Sequence, residues 1–165
     1  MLLGRTEDAG VYYQKSLDAF KQMYEQTGTV EVLMNLSVSW SNMGDHLRSL
    51  GRTEEAGEHY RKSLDTAERI YGQTGTVEAL KDLIISHDKI GDNKHALGLP
   101  AEAHAHRLKA LELFEQRVKL DPSLQKYDSY YRDKAKRSGE ENKQSENENK
   151  KNEPKRGFFN KLFKK

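Results

Sequence analysis

Six histidines are the side chains in this sequence whose chemistry best suits proton transfer or metal binding. They are His46, His59, His87, His95, His104 and His106. His104 and His106 are two positions apart, so on a helix they would point in different directions. The sequence has no HExxH motif, cysteine pair or carboxylate cluster that would complete a metal site. We therefore predict no bound metal.

Phosphate binding and nucleophilic catalysis are no better supported by the spacing of the residues. The glycines fall singly instead of in a Gly-rich run, and no Ser, His and Asp set can be assembled without inventing a geometry. We predict that the protein is not an enzyme and that it binds no cofactor.

Composition and charge narrow the class of protein further. Of 165 residues, 33% are charged and 35% are apolar, which is enough for one modest core. The chain has no cysteine, and Met1 is followed by no apolar stretch long enough for a signal peptide or a membrane span, so we expect a soluble cytoplasmic protein. Residues 1–131 carry a net charge of −4 and residues 132–165 carry +6, which argues against nucleic-acid binding by the body of the chain.

An internal repeat must position these side chains. The stretch LGRTEDAGVYYQKSLD from Leu3 returns as LGRTEEAGEHYRKSLD from Leu50, an offset of 47 residues, and LGLPAEAHAHRLKALELF begins at Leu97. About half of the positions in the first two units are identical. Apolar residues within each unit step by three or four, which predicts two helices per unit. Glycine followed by threonine, at Gly28 and Gly75, predicts the turns between them.

The repeat resembles the tetratricopeptide repeat family over roughly residues 3–122. The family's pattern of an aromatic residue, Leu-Gly, Ala, an aromatic residue and a small residue is met by Trp40, Met43-Gly44, Ala56, Tyr60 and Ser63. The second unit fits it less well, and 47 residues exceed the family's usual period. The resemblance implies an all-α fold, a right-handed α-solenoid of antiparallel helix pairs. The residues that we expect to pack the repeats are Trp40, Gly44, Ala56, Tyr60, Gly91 and Ala103.

The same resemblance implies a protein-interaction scaffold that binds a peptide or partner helix on the concave face formed by the first helices of successive pairs. By position, that face should carry Val38, Ser41, Asn42, Asp45, Arg48, Ile85, Asp88, Lys89, Asp92 and His95. Asp88 and Asp92 would repel a terminal carboxylate, so we do not expect the Lys and Asn carboxylate clamp of chaperone-binding members.

Both ends of the chain depart from the regular repeat. We predict helices at about 6–26, 29–50, 53–73, 76–97 and 100–120 and a capping helix at 123–137, which together form one domain, 1–137. The first helix lacks a preceding helix to cover Ala9, Tyr13 and Leu17, so we expect either a truncated sequence or a cover supplied by a partner or a second copy. Residues 138–156 are polar, with no apolar side chain, and predict a disordered linker.

The last nine residues, 157–165, form a basic peptide rich in phenylalanine. Its expected anchor residues are Phe158, Phe159, Lys161, Leu162, Phe163, Lys164 and Lys165. The peptide is too short to span a membrane, so two alternatives remain. It could tether the chain to an anionic membrane surface, or it could dock as a short linear motif in a protein groove, including that of another copy.

Overall fold

The computed structural model describes residues 2–152, with side chains from residue 9 onward, and this part of the chain is built from helices. The elements are α1 (Leu2–Thr27), α2 (Val30–Ser49), α3 (Thr53–Thr74), α4 (Val77–Ala96), α5 (Pro100–Leu120), a short 3-10 turn (Pro122–Tyr127) and α6 (Asp128–Asn152). Each helix packs on the one before it and the one after it. The predicted all-α solenoid of helix pairs is confirmed.

The turns between helices follow from glycine and threonine. Gly28 and Gly75 adopt φ of 61° and 58°, a left-handed conformation that ends α1 and α3. The side chain of Thr29 then accepts a hydrogen bond from the backbone N–H of Val32, and Thr76 does the same for Ala79. Each of these turns therefore stops one helix and starts the next within three residues.

One continuous apolar core runs along the solenoid between the helix layers. Its most deeply buried large side chains are Leu17, Tyr60, Ile70, Leu80, Ile84 and Phe114. Small residues allow the close helix crossings that bury them. A Cβ added at Gly44 would lie 2.6 Å from the ring of Tyr60, and Ala56 and Ala103 are completely buried. At Gly91, the corresponding Cβ would lie 3.0 Å from Cγ of Arg107.

The N-terminal helix α1 is better covered than the sequence predicts. Leu17 has no exposed surface, and the Tyr13 ring packs against His46 of α2 at a centroid distance of 5.5 Å. Helix α2 therefore covers part of this face, and Ala9 and Tyr13 stay half-buried, so a truncated sequence or a cover by a partner or a second copy stays a prediction. The apolar side chains that α1 does expose are Val11, Tyr12 and Met23.

The C-terminal helix α6 also differs from the expectation, since it continues past 137 to Asn152. Residues that we assigned to a disordered linker pack against α5: Ser138 is completely buried, and its hydroxyl lies 3.0 Å from Nδ1 of His104. Gly139 allows the approach, because a Cβ there would lie 3.0 Å from the His104 ring. Residues 153–156 of the expected linker and the peptide 157–165 lie outside the described residues.

Among the helices of residues 2–152, none is both long enough and apolar enough to cross a membrane.

Candidate interaction surface

The residues predicted to bind a partner lie along α2 and α4, on the side of each helix that turns away from the core. We call this surface the inner face and define it by the ten residues from Val38 to His95 named above. Their steps of three, four and seven positions place them on one side of each helix. Val38 and Ile85, which are one repeat apart, expose 53% and 38% of their surface.

Asp45 forms the first of two equivalent ties across the inner face. Its carboxylate accepts a hydrogen bond of 2.7 Å from the hydroxyl of Tyr60 on α3. It also forms an ion pair with Lys89 on α4. Burial and the hydrogen bond to Asp45 raise the pKa of Tyr60, so this hydroxyl remains a donor at neutral pH. Asp45 thus connects three successive helices.

Asp92, one repeat after Asp45, forms the second tie with different partners. Arg107, which occupies the repeat position of Tyr60, approaches it at 3.3 Å from α5. Lys134 of α6 lies 2.9 Å from Asp92 and 2.7 Å from Asp88, so one ammonium bridges two carboxylates. Burial would lower the pKa of Lys134, but the contacts with both aspartates outweigh that effect and raise it.

Helix α6 makes two further contacts at this end of the inner face. The hydroxyl of Tyr130 donates to Asp88 at 3.2 Å. Glu141 lies 3.2 Å from His95 and 3.6 Å from Arg107. The inner face is therefore divided into two groups of residues. The residues that contact other helices of the same chain are Asp45, Asp88, Lys89, Asp92 and His95. Of the others, Val38, Asn42, Arg48 and Ile85 are exposed and Ser41 is half-buried.

Four side chains in these contacts, Arg107, Tyr130, Lys134 and Glu141, were not among the predicted site residues. The sequence did contain a signal for Arg107, because it stands 47 positions after Tyr60 just as Asp92 stands 47 positions after Asp45. Lys134 carried no such signal, since its partners become neighbours only when α6 packs against α5.

Two of the six histidines, His87 and His106, contact each other between helices. Nδ1 of His87 and Nδ1 of His106 are 3.0 Å apart between α4 and α5, at the repeat positions of Trp40 and His59. Burial lowers the pKa of His87 to about 4, and it also lowers the pKa of His106. Within residues 2–152, no three His, Asp or Glu side chains are grouped so that they could hold a metal ion.

The expected anchor residues of the C-terminal peptide, Phe158 to Lys165, lie outside the described residues.

Comparison with known proteins identifies the repeat. A model of the tetratricopeptide repeat family matches residues 35–116, which run from α2 to the last part of α5. No curated protein matches the chain. The matched residues contain the Trp40, Gly44, Ala56 and Tyr60 pattern together with the first tie and the Asp92–Arg107 contact of the second. With its helix pairs and the small residues at their crossings, this chain belongs to the tetratricopeptide repeat family.

Proposed function

We propose that this chain is a non-catalytic interaction module that binds a peptide or a partner helix on the inner face, which is the concave face of the repeats. Proteins of its family generally mediate protein–protein interactions. A repeat fold supports many ligands, so the residues exposed on this surface decide what binds.

The observation that supports this surface is the pair of exposed aliphatic side chains at one repeat position. Val38 and Ile85 lie on α2 and α4 beside acidic residues whose charges are already balanced within the chain. Burying the exposed part of these two side chains, about half of their surface, is worth about 1 to 3 kcal/mol before the losses of binding are subtracted. Asn42 and Arg48 provide hydrogen-bond donors next to them. This combination fits an apolar partner segment with polar edges.

Proximity labelling in cells tests the proposal with the full chain and a Val38→Asp/Ile85→Asp variant. We expect the variant to lose protein neighbours of the parent chain, because each carboxylate would have to be buried in the contact. Leu108→Asp is the matched control, since Leu108 is 47% exposed on α5 and lies outside the inner face. Circular dichroism verifies that all three chains fold. An identical set of neighbours for the parent chain and the double variant would refute the inner face as the binding site.

A further inference from the structure

A second surface lies in the groove between α1 and α3, on the far side of α2 from the inner face. Trp40 forms its floor, two positions from Val38 and therefore roughly 200° around the helix. Cations and aromatic rings alternate along this groove. We call it the basic–aromatic stripe, and it consists of Lys21, Tyr24, Trp40, Lys62 and Arg69.

Two ammonium groups from different helices converge on one ring. Nζ of Lys21 on α1 lies 4.6 Å from the centroid of Trp40, and Nζ of Lys62 on α3 lies 4.7 Å from it. Further along the groove, the guanidinium of Arg69 lies 5.2 Å from the ring of Tyr24. Each such contact is weakly favourable at an exposed site, but like charges gathered at one place repel each other.

Of these three cations, one has an ion-pair partner among the side chains of residues 9–151. Asp18 lies 3.6 Å from Lys21, whereas no carboxylate lies within ion-pair distance of Lys62 or Arg69, and Asp65, which stands between those two on α3, pairs with neither. The neighbouring His59 reflects the positive surroundings: burial lowers its pKa first, and Lys62 and Lys21 lower it further, against Glu58 and Glu55. The groove therefore offers positive charge that is available to a ligand.

The second repeat serves as an internal control for what the fold requires. One repeat later, Glu68 replaces Lys21, His87 replaces Trp40 and Gln116 replaces Arg69. Lys109 stands at the position of Lys62 but pairs with Glu112 at 2.8 Å. The same helices thus pack with one of these cations in place of three, and that one is already paired. Helix packing therefore does not explain why the first groove has three cations.

We propose that the basic–aromatic stripe binds an acidic segment of a partner protein, with carboxylates next to Lys62 and Arg69. These two residues are seven positions apart on α3, about 10 Å, and side chains three residues apart in a peptide of polyproline II conformation lie on one side at about the same spacing. A single-stranded nucleic acid fits less well, because the cations lie over the ring faces on which bases would stack.

Trp40 is the sole tryptophan of the chain, so its fluorescence reports directly on this groove. The probe is a nine-residue peptide, acetyl-Gly-Glu-Ser-Ser-Glu-Ser-Ser-Glu-Gly-amide, titrated into the full chain at low salt. Its matched control has glutamine at each glutamate, and a uridine nonamer tests RNA. We expect a saturable change in Trp40 emission with the glutamate peptide alone. Lys62→Gln and Arg69→Gln should each weaken binding roughly tenfold, whereas Lys109→Gln should not change it.

Three results would overturn the proposal. The first is an equal response to the glutamate and glutamine peptides, and the second is tighter binding of the uridine nonamer than of the glutamate peptide. The third is unchanged affinity in both Lys62→Gln and Arg69→Gln, which would place the acidic peptide elsewhere. Because Val38→Asp/Ile85→Asp leaves the stripe intact, the inner face and the stripe can fail independently.

Discussion

Single residues in this protein are constrained most strongly where two helices cross. Gly44 faces the ring of Tyr60, which is buried and held in place by its hydrogen bond to Asp45. The ring therefore has little freedom to move away from a larger side chain. Gly72, near the end of α3, has no neighbouring atom within 4 Å of an added Cβ. Packing against Tyr60 therefore explains the glycine at position 44, whereas no such contact explains the glycine at position 72.

Alanine at these two glycines should shift stability in opposite directions. Gly44→Ala should lower the free energy of unfolding by about 1 to 3 kcal/mol, because the new Cβ would lie 2.6 Å from Tyr60. Gly72→Ala should raise it by up to about 1 kcal/mol through helix propensity. Urea denaturation followed by circular dichroism measures both, and a stabilised Gly44→Ala variant would show that the crossing is looser than described.

At the scale of elements, α6 is unusual because so few apolar residues hold it. Tyr131 stacks on Phe114 at a centroid distance of 4.4 Å, and Ala135 is buried. Beyond them the helix depends on polar contacts, chiefly those of Lys134 with α4 and of Ser138 with α5. Removing one partner of an ion pair this enclosed strongly destabilises the fold, because the other charge is left without a partner.

Lys134→Met should therefore loosen α6 while the other helices stay folded. We expect faster amide exchange in peptides from residues 128–152 and a loss of about 1 to 3 kcal/mol in their protection. Lys109→Met is the control, since Lys109 forms an exposed pair with Glu112 one turn away, and it should change protection by less than about 0.5 kcal/mol. Unchanged exchange in α6 of Lys134→Met would mean that apolar contacts alone hold the helix.

For the whole molecule, stability depends on the junctions between helices, because each helix packs chiefly against its neighbours along the solenoid. The contact between α2 and α3 contains the half-buried His59, and the contact between α4 and α5 contains His106 at the same repeat position. The second contact also contains His87. Burial lowers the pKa of all three. The unfolded chain, where histidine titrates near its ordinary pKa, therefore takes up more protons than the folded chain on acidification.

The protein should consequently lose stability as the pH falls from 7.5 to 5.0. His87 alone, with a pKa of about 4 when folded, should contribute on the order of 1 to 2 kcal/mol of this loss. Glu55 and Glu102, whose side-chain hydrogen bonds lower their pKa, withdraw their stabilisation only at more acidic pH, so they do not cause the loss in this window. Burial raises the pKa of Asp82, which opposes the loss. Urea denaturation at both pH values should show a smaller loss for His87→Leu. An equal loss would rule out His87 as the main source.

Local patterns in the sequence predicted the helices and their pairing. The spacing of apolar residues, the small residues at crossings and the Gly-Thr turns act within a few neighbours, so a single repeat contains all the information they need. The repeat positions of the inner face followed in the same way. The sequence did not show whether a side chain at these positions is available to a partner.

Only the tertiary structure decided which charges on the inner face are used within the chain. Lys134 belongs to the predicted capping helix and Glu141 to the predicted linker, and both are held by contact with α4 and α5, more than 30 positions away. The basic–aromatic stripe likewise depends on three helices meeting at Trp40. The sequence by itself therefore determined the repeat and its elements, because these rest on neighbours in the chain. Long-range packing determined the length of α6 and the charges exposed on each face, because an ion pair is visible only once its two partners meet.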